Sequence, residues 1–119
     1  MPDVLRFQYM FRDEVMADVE VDYEKPFSIK VKNYTEDNLY KPFGIRDNPT
    51  MEDFDDFLVS RCFPKERRNC KQLLKDLGLI NYSPYLIVRK THGRQLEDYL
   101  WIKFEGETVD YEKDIKLRD

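Results

Sequence analysis

The stretch LRFQYMFRDEVMADVEV, residues 5–21, decides the fold of this chain. Apolar and polar residues alternate through both of its halves, which is the period-two pattern of half-buried strands. The polar tripeptide between the halves, residues 12–14, is short enough to be a hairpin turn. The sequence FSIKVK, residues 27–32, alternates in the same way. We therefore expect three antiparallel strands that share one apolar face.

Two amphipathic helices are predicted between residues 50 and 78. Thr50 stands three residues before Asp53, close to a capping box, and begins the first helix. Pro64 ends that helix and suits the first position of the second, which Gly78 closes. The apolar residues at helical spacing are Met51, Phe54, Leu58 and Cys62 in the first helix and Cys70, Leu73, Leu74 and Leu77 in the second.

A third, short helix and a late strand complete the pattern. Ser83, followed by a proline, predicts the start of this helix, and Gly93 predicts its end. Residues 100–104 alternate again and predict the late strand. The fold class is therefore α+β, a small antiparallel sheet of the N-terminal strands plus the late strand, with about three helices packed on one face. We assign residues 1–105 to a single domain and residues 106–119 to a charged C-terminal tail, either a frayed end or a late strand.

The composition fits one cytoplasmic domain. With 119 residues, of which 41% are hydrophobic, the chain can bury a core without disulfides or metals. It has no signal-peptide pattern and no apolar run near the roughly 20 residues that cross a bilayer, so we expect no membrane contact. Cys62 and Cys70 are expected to be free thiols in a reducing cytosol. Because His92 is the only other soft donor, we expect no metal site and no cofactor.

The charge distribution makes residues 61–94 a candidate binding surface. Nine basic residues there meet only two acids, Glu66 and Asp76, for a net charge of +7 in a chain that carries −4. Such an asymmetry indicates a surface that meets a partner, and pairing with acids elsewhere in the chain is the alternative explanation. The candidate partner-binding residues are Arg61, Lys65, Arg67, Arg68, Lys71, Lys75, Arg89, Lys90 and Arg94.

No catalytic pattern accompanies this surface. The sequence contains neither a nucleophile with a recognisable paired base nor two carboxylates in a recognisable spacing. His92 falls at the end of the predicted third helix, where an imidazolium favours the helix dipole. Trp101 and its aromatic neighbours are explained better by core packing than by stacking on bases. We therefore expect no enzymatic activity.

A longer pattern runs through residues 40–104. Its parts are Phe54, Phe57 and Leu58, the step Phe63-Pro64, the helix with Arg67 and Arg68, the helix start SPYLI at residues 83–87, and the turn Gly93-Arg94 before a strand. This order resembles the N-terminal subdomain of HipA-type kinases, with Lys65 where the family carries an acid after the proline. The segments CFPKERRN (62–69) and KTHGR (90–94) are also similar to small proteins of Firmicutes and their mobile elements.

The resemblance implies a function through binding. In tripartite HipBST systems a detached, HipS-like version of this subdomain is a small partner of the kinase. By this resemblance the chain is a non-enzymatic protein–protein interaction module, associated with a toxin–antitoxin system, that binds a HipA-like kinase or another protein partner. Two alternatives stay open, and the sequence does not indicate the oligomeric state. One is a mobile-element, anti-CRISPR-like inhibitor whose acidic residues 13–24 imitate nucleic acid, and the other is weak nucleic-acid binding through the basic 61–94 face.

Overall fold

The chain forms a four-stranded antiparallel sheet with three α-helices, as shown by a computed structural model that describes residues 4–24, 27–44, 48–95 and 98–115. The strands are β1 (Val4–Phe11), β2 (Glu14–Asp22), β3 (Ser28–Asn33) and β4 (Leu100–Phe104). The helices are α1 (Met51–Ser60), α2 (Cys70–Asp76) and α3 (Pro84–Thr91). The strand order is β3-β2-β1-β4, so β3 and β4 are the two edges of the sheet. The predicted α+β class is confirmed.

The main core lies between the sheet and the helices. It takes alternate residues from each strand, because successive side chains of a strand point to opposite faces. Phe7 of β1 lies at its centre, with its ring centroid 6.3 Å from that of Phe54 and 6.1 Å from that of Phe57. The ring of Phe104 on β4 packs on the same side, 6.0 Å away. These aromatic contacts attach α1 to the middle of the sheet.

A β-bulge interrupts the alternation of β2. Tyr9 pairs with Ala17 and Met10 pairs with Val15, so Met16 is the extra residue of β2. Val15, which the alternation predicted on the same face as Ala17, therefore packs in a different cluster from Ala17. The alternation of the sequence could not show this shift, because the bulge is defined by the pairing with β1.

A second, smaller core contains Trp101, which is 1% exposed, together with Met10 and Val15. Tyr111 and Ile115, at the two ends of a short π-helical turn (Tyr111–Ile115), cover it. The described part of the C-terminal tail therefore packs on the sheet and contains no strand. Residues 116–119 of that predicted tail lie outside the described residues.

The helix ends follow the predicted caps, with one difference. Thr50 and Asp53 form a reciprocal capping box at α1, and the Ser83 side chain caps α3. Gly78 follows α2 with a φ of +77°, as a left-handed C-terminal residue requires. α3 ends one residue before the predicted Gly93, since His92 already has a φ of 60°.

The start of α2 is the clearest departure from the sequence prediction. The helix begins at Cys70 and not after Pro64. Residues 64–69 form consecutive turns instead, in which the Arg67 N–H donates to the Pro64 carbonyl at 3.1 Å and the Cys70 N–H donates to the Arg67 carbonyl at 2.9 Å. Arg67 therefore lies in the turns, whereas Lys71 and Lys75 lie in α2.

Candidate functional site

Five of the predicted site residues form an exposed basic segment on the turns before α2 and on α2 itself. They are Lys65, Arg67, Arg68, Lys71 and Lys75, and the term basic segment refers to these five residues below. Lys71 and Lys75 lie four residues apart and exposed on α2, while Leu74 of the same helix is buried in the core. Within the described ranges, none of the five lies within ion-pair distance of a carboxylate. Their charge is therefore available to a partner.

Arg61 does not belong to this surface, although it was predicted there. The residue is only 6% exposed, and its guanidinium forms a bidentate ion pair with Asp98, with both N···O distances at 3.0 Å. It also donates to the carbonyls of Gly93 and Leu100, each at 2.9 Å. Burial alone would lower the pKa of Arg61, but the hydrogen bonds that its guanidinium donates to Asp98 and the nearby charges raise it. Arg61 is thus a charged structural residue.

The three predicted residues at α3 have separate surroundings. The Arg89 guanidinium lies over the Phe104 ring, 4.2 Å from the ring centroid, and remains exposed. Lys90 is exposed at the end of the helix. Arg94 donates to the Asp114 carbonyl at 3.1 Å and so ties the C-terminal turn to the domain. Of the nine predicted residues, Arg61 and Arg94 thus form hydrogen bonds within the domain in the described structure.

β4 is a closed edge of the sheet. The N–H groups of alternate residues of an edge strand point away from its neighbour. In β4 each of these outward N–H groups has a partner within the chain. The Leu100 N–H donates to the Asp98 carboxylate at 3.1 Å, the Ile102 N–H to the His92 carbonyl at 2.7 Å, and the Phe104 N–H to the Glu107 carboxylate at 2.8 Å. An added strand would therefore have to displace these bonds.

β3 is an open edge. The Tyr34 N–H donates to the Met16 carbonyl at 2.8 Å, and the alternation of an antiparallel ladder then points Ile29, Val31 and Asn33 outward. In the part of the chain that the structure describes, no backbone or side-chain group bonds to the outward N–H and C=O groups of these three residues. No pattern in the sequence distinguished β3 from β4 in this respect.

The acids of β2 beside the open edge are already bonded within the sheet. Glu20 forms an ion pair with Arg6 at 2.9 Å. Asp18 accepts hydrogen bonds from Gln8, at 3.0 Å, and from the Tyr34 hydroxyl. These two carboxylates are therefore engaged by neighbouring strands and by the segment after β3, which leaves less acidic charge for imitation of nucleic acid than the sequence indicated.

In the described structure, two lysines of β3 form no ion pair with these acids. Lys30 lies opposite Glu20 and Lys32 lies opposite Asp18 in the register. Among the described residues, neither lysine has a carboxylate within 4.0 Å, and Lys32 packs over the Tyr34 ring at 5.2 Å. Both lysines line a groove of about 570 Å³ on the sheet. Positive charge and free backbone groups thus occur together on β3.

The thiols and the histidine have structural surroundings. Cys62 and Cys70 are both free thiols. The Cys62 thiol donates to the Leu58 carbonyl at 3.2 Å, and burial raises its pKa from 9.0 to about 11. His92 Nε2 lies 3.0 Å from the Glu107 carboxylate. Across the described ranges, no three His, Cys, Asp or Glu side chains are grouped to hold a metal ion.

The fold contains no helix, within the residues described, that is long and apolar enough to span a membrane. Comparison of the chain with models of protein families, with curated proteins and with solved structures finds no match. The functional argument therefore depends on the exposed charge and on the edges of the sheet.

Proposed function

We propose that this chain is a non-enzymatic protein-interaction module that binds an acidic protein surface through the basic segment. The observation that carries the proposal is the exposure of five cations without an ion-pair partner in the described structure. Long-range attraction between complementary charges raises the association rate and excludes partners of the wrong charge. Exposed cations of this kind contribute little to folding, so their density on one segment is better explained by binding.

A protein partner fits the surface better than nucleic acid does. The chain is acidic as a whole, with a net charge of −4, whereas nucleic-acid-binding domains usually have a basic isoelectric point. Ile80, which is 94% exposed, follows α2 closely in the sequence. An exposed apolar side chain close in sequence to cations is typical of a protein interface with an apolar core and a polar rim.

The resemblance to the N-terminal subdomain of HipA-type kinases indicates that a HipA-like kinase is the first partner to test. A HipS-like small protein would bind a HipA-like kinase, and in that case the chain belongs to a toxin–antitoxin system in the cytoplasm. The exposed segment of residues 64–75 lies inside the part of the sequence that carries this resemblance. The proposal includes a HipA-like kinase as partner and extends to another protein with an acidic surface.

The test reverses the charge of Arg67, Lys71 and Lys75 to Glu in one variant. We expect a melting temperature close to that of the parent protein and loss of binding to a purified HipA-like kinase. The control reverses Lys113, an exposed cation of the π-helical turn that lies outside the basic segment, and should leave this binding intact. Equal binding by all three proteins would contradict the proposal.

Nucleic acid is the competing outcome, and salt separates the two. Binding to phosphates should fall steeply between about 50 and 200 mM salt, because it is driven by counterion release. The parent protein should not shift random-sequence DNA or RNA at about 150 mM salt. If it does, and the triple reversal abolishes the shift, nucleic-acid binding replaces the protein-interaction proposal.

A further inference from the structure

We propose that the open edge of β3 is a second docking site, which accepts an extended acidic segment of a partner protein as a fifth strand of the sheet. The site lies on β3 and shares no residue with the basic segment, so it stands independently of the function proposed above. Its two determinants are the outward backbone groups of Ile29, Val31 and Asn33 and the side chains of Lys30 and Lys32.

The backbone groups give the geometry of the docked strand. Three consecutive outward positions, without bonds in the described structure, offer N–H and C=O groups in the alternation that an antiparallel strand requires. Proteins usually close such an edge, because it can pair with other chains. Over the ranges that the structure describes, this chain closes β4 with three hydrogen bonds to its own residues and leaves β3 open.

The side chains give the chemistry of the docked strand. Lys30 and Lys32 point to the sheet face away from the helices, and the half-buried Ile29 and Val31 pack at the margin of the main core on the other face. Because directly opposite residues on adjacent strands share a face, acids should lie beside the lysines and apolar residues beside Ile29 and Val31. The fitting segment therefore alternates acidic and apolar residues.

A second copy of this chain is a poor occupant. In the antiparallel register that pairs residues 29–33 fully, Lys30 of one copy lies opposite Lys32 of the other. Like charges directly opposite each other destabilise a strand pair, so the lysines oppose self-association through β3. The same lysines attract an acidic strand, and this charge complementarity selects the partner.

The chain itself contains a strand with the required pattern. β2 alternates Asp18, Val19, Glu20, Val21 and Asp22, and it already places Asp18 opposite Lys32 and Glu20 opposite Lys30 on the inner side of β3. In β2, the N–H groups of alternate residues point toward β1. In a peptide of the same sequence on the outer side of β3, the N–H groups of those residues would point toward Ile29 and Val31, so the peptide can repeat this register there. This makes a β2 peptide a rational probe.

The experiment adds the peptide EVMADVEVD, the sequence of residues 14–22, to the full chain and follows backbone amide exchange by NMR. We expect slower exchange of the outward amides of Ile29, Val31 and Asn33, with the amides of β4 unchanged. The control peptide EVMAKVKVK, in which lysines replace the three C-terminal acids, should bind about tenfold more weakly or worse. Equal binding of the two peptides, or protection elsewhere than on β3, would overturn the proposal.

Two variants of the chain separate docking from folding. Lys30→Glu with Lys32→Glu should reverse the preference, so that the lysine peptide binds better than the acidic one. Val31→Pro removes an outward N–H that bonds to nothing in the described structure, so it should abolish peptide binding while the far-UV spectrum persists. Unchanged binding by both folded variants overturns the proposal. Concentration-dependent dimerisation of the parent chain with protection of the same amides overturns it in favour of a second copy as occupant.

Discussion

The two edges of the sheet differ in what satisfies their outward backbone groups. On β4, the partners come from three separate places in the chain, namely Asp98, His92 and Glu107. On β3, the described structure supplies no partner, and the strand presents Lys30 and Lys32. The difference shows that a small sheet can close one edge with hydrogen bonds to residues within ten positions of the strand and protect the other edge by charge.

The closed edge is also the more deeply buried of the two. Ile102 on β4 is 0% exposed, whereas Ile29 on β3 is only half-buried. Arg61 joins this edge to the helices, because it bonds to Asp98, to the Leu100 carbonyl and to the turn after α3. Stability should therefore be concentrated at β4, and the open edge should tolerate change.

The largest effect is expected for Arg61→Ala. The substitution leaves the Asp98 carboxylate without its ion pair and removes the donor from two carbonyls, so it should lower the free energy of unfolding by about 3–5 kcal/mol. Lys71→Ala, which removes an exposed cation of α2, is the control and should stay within about 0.5 kcal/mol of the parent. Urea unfolding measures both. Similar midpoints for the two variants would show that Arg61 does not hold the closed edge.

A truncation of isoleucine on each edge should give the next largest effect. Ile102→Ala creates a cavity in the buried core and should cost about 2–5 kcal/mol. Ile29→Ala removes the same atoms from a half-buried site and should cost about 1 kcal/mol, because less apolar area is withdrawn from water there. Denaturant unfolding of both variants compares the edges directly. Equal losses of stability would contradict the unequal burial.

A smaller effect is expected from the thiol of Cys62, which follows Arg61 in the sequence. Burial raises its pKa to about 11, so the folded state prefers the protonated thiol. Below pH about 9 the thiol is protonated in both states and its contribution is complete. As the pH rises from about 9 to 11, the unfolded state ionises first and this contribution is lost. The stability of the parent should therefore fall more over this range than that of a Cys62→Ala variant.

Thiol labelling provides an independent measurement. In a Cys70→Ala variant Cys62 is the only thiol, and it should react slowly with a thiol reagent at pH 8 in the native state and quickly in urea. Fast native labelling would mean that the region of Cys62 opens readily, which would contradict the burial of this thiol.

Local patterns of the sequence predicted the elements of this fold and not the contacts that join them. Alternation found all four strands, and the caps at Thr50, Ser83 and Gly78 placed helix ends, because these signals act over a few residues. The start of α2 predicted from Pro64 was wrong, because the residues after Pro64 form turns and the helix begins only at Cys70. The ion-pair partner of the buried cation Arg61 could not be identified from the sequence either, because it is not the acid nearest to Arg61 in sequence.

The candidate site illustrates the same limit. Arg61 was counted with the exposed basic residues, because its partner Asp98 lies 37 positions away and no local pattern links them. The tail was expected to fray or to form a strand, yet Tyr111 and Ile115 pack on Trp101, and only the spacing of two apolar residues in a charged segment pointed to it. The open edge could not be predicted at all, because it is defined by bonds that the other residues described by the structure do not make.

The finest comparison of the edges requires no substitution, only amide exchange in the free protein. On β4, the outward amides of Leu100, Ile102 and Phe104 donate to partners within the chain, so all amides of this strand should exchange slowly. On β3, slow and fast amides should alternate, with Lys30 and Lys32 protected by β2 and Ile29 and Val31 exchanging faster, because their N–H groups face outward. Both patterns come from one NMR experiment, so stability and solvent conditions are identical for the two strands. Uniform protection along β3 would mean that its outer groups are already bonded, and the contrast between an open and a closed edge would not hold.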